Sequence, residues 1–198
     1  SRQNETQIAK EMIEEHFGAK NYAALVIPAG DYDREQALID ELLQCDEVES
    51  ITSLSSIEAM DGYVLTDKLT PRQFSEMIDL DIDTTKLLYS VYAAENADYS
   101  KLITNMNDYS VPIIDMFMFV YDLKSDGYVQ LDGELGDSID DLYAQLNTAK
   151  KQLSGENYSR MLVYMNLPVE GDETYAFIDK VHTITAKYYD TSYFVGDS

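Results

Sequence analysis

The chain is poor in positive charge: 14 lysines and arginines stand against 37 aspartates and glutamates in 198 residues, a formal net charge of −23. Proteins hold nucleic acid mainly by neutralising phosphates with Lys and Arg, so recognition of a phosphate backbone is excluded. The same deficit disfavours adsorption to anionic lipid surfaces. There is one cysteine, Cys45, so no intramolecular disulfide can form. It closes the apolar face of an expected helix and reads as a small buried hydrophobe. Long hydrophobic runs are missing too. The longest candidate, Val111 to Val120, is interrupted by Asp115 and falls short of the ~20 residues that a membrane helix needs. No signal-peptide pattern opens the chain.

Catalytic signatures are equally scarce. There is no G-x-S-x-G, S-x-x-K or H-E-x-x-H, and no glycine-rich loop after a strand. Carboxylate pairs abound in a chain this acidic and mean nothing without geometry. The two histidines, His16 and His182, fall on separate expected helices with no His or Cys at ligand spacing. The sequence therefore predicts a chain without catalysis of its own, and no cofactor.

What is present is a pattern in two halves. Ala23 to Pro28 (AALVIP) is a short apolar run, followed by a helix-like segment from Arg34 to Cys45 and a strand-like run, Val48 to Leu54 (VESITSL). The order returns near the far end. Met161 to Leu167 (MLVYMNL) is apolar, Asp172 to Tyr189 has helical spacing, and Thr191 to Val195 (TSYFV) reads as a strand. Strand–helix–strand twice is the split βαβ, ferredoxin-like arrangement. The expected fold class is α+β, a ferredoxin-like sheet with a large helical insertion between its halves. Residues 20–60 and 156–198 would form the α/β core and 61–155 the insertion, within a single domain spanning 1–198. The first and third strands are nearly continuous apolar runs and belong at the centre of the sheet. The second and fourth carry more Ser, Thr and Glu and belong at its edges.

Helix signals punctuate the rest. Thr6 to Phe17 places Ile8, Met12, Ile13 and Phe17 on one side, with Gly18 as its stop. Asp31 or Asp33 would cap the helix bearing Leu38, Leu42 and Cys45, with Ile39 and Leu43 beside that stripe. Thr70-Pro71-Arg72-Gln73 is a capping box with proline in the first turn. Asp83 is expected to cap a segment carrying Leu87, Leu88, Val91 and Tyr92. Ser110 followed by Pro112 would open a nearly all-apolar helix (VPIIDMFMFVY) ended by Gly127. Ser138, with Asp141 in the box position, would cap the last helix, where Ile139, Leu142, Leu146, Ala149 and Leu153 keep heptad spacing as far as Gly155. Asp61-Gly-Tyr-Val64 recurs as Asp126-Gly-Tyr-Val129. Both read as turns using glycine for the same backbone reason, or else as two strands that pair at the neck of the insertion.

Asp79-Leu-Asp81-Ile-Asp83 looks like the start of a calcium loop but fails where it matters. Thr84 replaces the required glycine and Ser90 the closing glutamate, so the aspartates read as helix caps. Aromatic usage stands out more. There are 16 tyrosines and no tryptophan, and Met116, Phe117, Met118, Phe119 and Tyr121 crowd one helix. Together with Leu88, Tyr89 and Tyr92 they are either the core of the helical block or a surface for a ligand or a partner domain.

Three stretches carry a resemblance: AALVIPAGDYDREQALIDELLQCDEVESITSL, DKLTPRQFSEMIDLDIDTTKLLYSVYAAE and YYDTSYFVGDS. They resemble the extracytoplasmic porter domain of resistance-nodulation-division exporters, in particular the MMPL-type branch found in Firmicutes. The resemblance implies a soluble loop domain on the extracytoplasmic face of a bacterial membrane, with Gly196-Asp197-Ser198 just before re-entry. Its partners would be flanking transmembrane helices and a second porter domain of the same polypeptide. The cargo would be a hydrophobic or amphiphilic molecule such as a lipid or drug, moved at the expense of the proton gradient. On that reading the candidates for substrate or domain contact, taken from the aromatic crowding and not from the resemblance, are Met116, Phe117, Phe119, Tyr121, Leu88, Tyr89 and Tyr92. The alternative is a free-standing cell-surface binding or adhesion module with a Tyr-rich face. A cryptic hydrolase ranks last.

Overall fold

The computed structural model describes residues 21–196. The helix expected over Thr6–Phe17, with His16 and Gly18, lies outside the described residues, as do Asp197 and Ser198. The described chain divides into two compact units, one of residues 21–57 and 147–196 and one of residues 58–146. The first begins with strand β1 (Asn21–Pro28), helix α1 (Tyr32–Leu43) and strand β2 (Val48–Thr52). The second supplies β3 (Lys68–Leu69), α2 (Pro71–Ile78), α3 (Ile82–Glu95), α4 (Tyr99–Thr104), β4 (Val111–Pro112), α5 (Ile113–Ser125) and the start of α6 (Gly133–Leu153). The chain then returns to the first unit with β5 (Tyr158–Met165), α7 (Asp172–Thr185) and β6 (Tyr193–Gly196). The fold is α+β.

In the sheet unit the strands run in the order β2-β5-β1-β6, with every neighbouring pair antiparallel. The two apolar strands take the centre and the more polar ones the edges, as strand composition predicts. Alternation in β1 sends Ala23, Leu25 and Ile27 to one face, level with Met161, Val163 and Met165 of β5. Leu38, Ile39 and Leu42 of α1 and Phe177, Val181 and Ile184 of α7 complete that core. Burying a side chain such as Leu25 contributes about 1.5–3 kcal/mol. Asp31 is the cap of α1, its carboxylate accepting from the Arg34 backbone N–H at 3.0 Å. Cys45 is buried just beyond the helix end. Leu43, expected beside the apolar stripe, is 47% exposed because the buried arc of α1 is only as wide as Leu38, Ile39 and Leu42.

The helical unit departs from expectation mainly at helix starts. The Thr70 capping box forms in both directions: Gln73 N–H donates to Thr70 Oγ1 at 3.3 Å, and Thr70 N–H donates to Gln73 Oε1 at 2.9 Å. For α3, however, the cap is Asp81 rather than Asp83, its carboxylate accepting from Thr84 N–H at 3.0 Å. The helix so phased buries Thr85, Leu88, Tyr89 and Ala93, which leaves Leu87 64% exposed on the opposite side. Ser110 does not open α5. Val111 and Pro112 pair with Lys68 and Leu69 as an antiparallel ladder, and the helix starts after them. A residue before proline is pushed toward extended backbone, which explains the later start. Nor does Ser138 cap α6, which begins at Gly133 and buries Ser138 within the helix. The heptad residues Ile139, Leu142 and Leu146 are buried in this unit, and Ala149 and Leu153 in the sheet unit.

The repeated Asp-Gly-Tyr-Val pieces do not pair with each other. Val64 bridges to Glu58, and Tyr128 N–H donates to the Leu123 carbonyl at 2.9 Å. What they share is the turn, with Gly62 at φ +81° and Gly127 at φ +80°, a region that glycine enters without steric cost. No helix among the described residues is long and apolar enough to cross a membrane.

Candidate functional site

The aromatic residues singled out from sequence fall into two groups. Met116, Phe117, Leu88 and Tyr89 are buried. Phe117 packs at a ring-centroid distance of 5.7 Å from Phe74, Phe74 meets Tyr89 edge-on at 6.0 Å, and Tyr89 meets Tyr109 edge-on at 6.2 Å. The Tyr89 hydroxyl donates to the Leu69 carbonyl at 2.9 Å, tying α3 to the short ladder. Burial, with Tyr109 and Tyr92 beside it, pushes that phenol's pKa well up. Tyr109 donates to Asp98 Oδ2 at 3.2 Å. These rings are the interior of the unit, held by their own edges.

Phe119, Tyr121 and Tyr92 are half-buried instead. Tyr92 meets Phe119 edge-on at 5.3 Å, and Tyr121 lies flat on Tyr143 with centroids 3.6 Å apart. Partial burial, then the nearby Asp115 and Asp98, push the Tyr92 phenol up to about 12. At neutral pH the Tyr89 and Tyr92 phenols are therefore neutral hydrogen-bonding groups.

A groove of about 470 Å³ opens in the same unit. Met77 and Ile78 come from the last turn of α2, Phe117 from α5, and Leu135, Ile139 and Leu142 from α6, with Met60 from the loop before β3. Met77, Phe117, Ile139 and Leu142 are nearly fully buried and form its apolar floor. Asp79 and Glu134 are exposed and stand at its lip, with Ser138 the remaining polar residue of the lining. A volume of this size, apolar with a few polar groups, has the dimensions of a small-molecule site. Of the candidate contact residues that the sequence offers, Phe117 alone lines it. Met60, Met77 and Leu135 were not legible, because nothing local distinguishes a methionine facing a groove from one filling a core. From sequence Asp79 reads as a helix cap. It does end α2, through its backbone, with φ +55°.

A second constellation lies in the sheet unit. Glu35 of α1 is fully buried, and its Oε1 accepts from the hydroxyls of Ser159 at 3.0 Å and Ser55 at 3.4 Å. Among the described residues Oε2 has no hydrogen-bond partner, and neither has the buried Tyr189 hydroxyl. Burial raises the carboxyl's pKa, the two serines oppose that shift, and Asp31 adds to it. An interior carboxyl flanked by serines can hold a proton and tie three segments together. His182 of α7 meets Phe194 of β6 edge-on, with ring centroids 6.3 Å apart.

Among the described residues no group of three or more His, Cys, Asp or Glu side chains is arranged to hold a metal ion. Asp79 and Asp81, the start of the calcium-like pattern, instead end α2 and begin α3. No family model, curated protein or solved structure matches this chain.

Proposed function

We propose that this chain is a soluble, extracytoplasmic porter-type domain of a proton-driven exporter of the resistance-nodulation-division superfamily, MMPL-type branch, and that its sheet unit is a ferredoxin-like split βαβ. The observation that carries this reading is the strand order. Two strand–helix–strand halves, separated in sequence by the helical unit, interleave into one antiparallel sheet ordered β2-β5-β1-β6. That interleaving is what the split βαβ arrangement requires. Fold alone does not fix function, so the resemblance of the three sequence stretches supplies the rest of the argument. In this role the domain has no reaction of its own and forms part of the path of a hydrophobic or amphiphilic molecule. Its partners are flanking transmembrane helices and a second porter domain of the same polypeptide.

The test is the parent reading frame on either side of Ser1 and Ser198. Apolar segments of ~20 residues on both flanks, with a second domain of this pattern further along, are the expected result. A cleavable signal directly before Ser1 and a stop codon after Ser198 overturn the reading.

A second reading is a cell-surface binding module with a Tyr-rich face, and one observation favours it. Tyr158 and Tyr193 are both exposed and stand opposite Pro28 and Val26 of β1, two residues apart on one face of the sheet. It predicts saturable binding of a protein or glycan by the 198-residue chain, lost when both tyrosines become serine.

A further inference from the structure

The end of α2 breaks two local rules at one residue. Helices that end in the left-handed region usually place glycine there, sometimes asparagine. The residue here is Asp79, at φ +55° and ψ +49°. The C-terminal end of a helix carries partial negative charge and favours cations, yet the last turn of α2 holds no Lys, Arg or His, and Asp79 adds a full negative charge. The turn itself does not need a carboxylate. Asp79 N–H and Leu80 N–H both donate to the Ser75 carbonyl, and the Ser75 hydroxyl donates to the Leu80 carbonyl. Glycine or asparagine would keep every one of these bonds. The Asp79 carboxylate has no hydrogen-bond or ion-pair partner among the described residues, and the same holds for Glu134. A residue that opposes its own helix and helps no neighbour points to something outside the chain.

Both carboxylates stand at the lip of the groove floored by Met77, Phe117, Ile139 and Leu142. No Lys, Arg or His lines it. The cation nearest in sequence order along α5, Lys124, is committed to Asp140 at 2.9 Å. The groove therefore pairs an apolar floor with uncompensated negative charge at its mouth.

We propose that this groove is a binding site for a small cationic amphiphile, the charged head lying between Asp79 and Glu134 and the apolar tail on Met77, Phe117, Ile139 and Leu142. The inference deepens the exporter reading by naming the charge class of the ligand. Its failure is distinguishable from the failure of that reading. Missing membrane segments in the parent frame leave the groove's ligand untouched, and an empty groove leaves the parent frame untouched.

The experiment is titration calorimetry of the 198-residue chain with decyltrimethylammonium, kept below its micellar concentration, against decyl sulfate of the same chain length. Saturable binding of the cation, at least tenfold tighter than the anion, is expected, with partial loss at high salt. Asp79→Gly keeps the left-handed turn and removes the charge. It is expected to raise the melting temperature by about 1–3 °C, by relieving both broken rules, while weakening cation binding roughly fivefold. Glu134→Gln, which leaves that turn untouched, is expected to weaken binding several-fold on its own. Equal affinity for cation and anion, no binding of either, or full affinity retained in the folded Asp79→Gly and Glu134→Gln variants overturns the proposal.

Discussion

In the sheet unit the interior is organised by backbone. Asn21 pairs with Met165, Leu25 faces both Met161 and Phe194, and two helices lay aliphatic stripes over the resulting surface. In the helical unit the corresponding work falls to rings: Tyr109, Tyr89, Phe74 and Phe117 touch in sequence, and the one ladder is two residues long on each side. Buried polar atoms are a second point of comparison. The helical unit buries the Tyr89 hydroxyl against a carbonyl that needs a donor, and both groups are satisfied. The sheet unit buries a carboxyl with one oxygen that has no hydrogen-bond partner among the described residues, and the helical unit leaves the buried Gln145 Oε1 without one as well. A pleated ladder holds its residues in register whatever one side chain lacks, so it tolerates an interior defect. An aromatic cluster has only its side chains to define it.

That contrast is most sharply tested by truncation. Phe74→Ala removes the ring that links Tyr89 to Phe117 and is expected to cost about 3–5 kcal/mol in urea unfolding. Hydrogen exchange should show the loss in the amides of α2, α3 and α5. Leu25→Ala, at the centre of the sheet, is expected to cost about 2–4 kcal/mol, with the lost protection in β1 and β5. If Phe74→Ala proves no more damaging than a surface substitution, the aromatic cluster is not what organises its unit.

The interior carboxyl gives a prediction of opposite sign. Because burial raises the pKa of Glu35 in the folded chain, the unfolded chain gives up that proton first. The group therefore costs stability increasingly as pH rises above its unfolded value of 4.5, and the cost levels off above its folded pKa. Glu35→Gln keeps an acceptor for both serines and removes the charge. It should melt higher than the parent at pH 7 and converge with it at pH 3 to 4. Glu41 makes the comparison stricter. Its hydrogen bonds from Lys187 and Tyr188 lower its pKa, so its contribution is present at neutral pH and is lost as pH falls through the folded value. Glu41→Gln should thus melt slightly lower at pH 7 and converge in acid. Parallel profiles for the two variants would sink the assignment of opposite signs. The smallest effect belongs to the exposed capping box. Thr70→Ala removes one half of it and should cost about 1 kcal/mol.

The sheet was legible in the sequence because its signal is local and redundant. The apolar run around Leu25 and the one around Val163 each identify a strand and, by lacking polar positions, its place in the centre. Helix starts were harder, because several competent caps compete within a few residues. Asp81 and Asp83 are chemically equal, and only the burial of Thr85 and Leu88 decides between them. Ser110 and Ser138 are good caps that the surroundings overrule, one by an extended pair before Pro112, the other by a helix that had already begun at Gly133. The groove was nearly illegible. Its floor joins Met77, Phe117 and Ile139 from three helices, and no spacing rule spans such distances. A trace was present in Asp79, an acid at the end of a helix where glycine or a cation belongs.

The interleaved strand order also has a consequence for synthesis. β1 leaves the ribosome before the other strands of its sheet, apolar on both faces, yet neither of its neighbours exists until the whole helical unit has been made. At about 5–20 residues per second the wait before β5 emerges is on the order of ten seconds, long against the roughly one microsecond in which a local helix forms. During that interval the helical unit, rich in local contacts, can fold while β1 remains an unpaired, aggregation-prone edge. The nascent chain should accordingly be a strong client for a holding chaperone at AALVIP, and that demand should end abruptly once MLVYM is released.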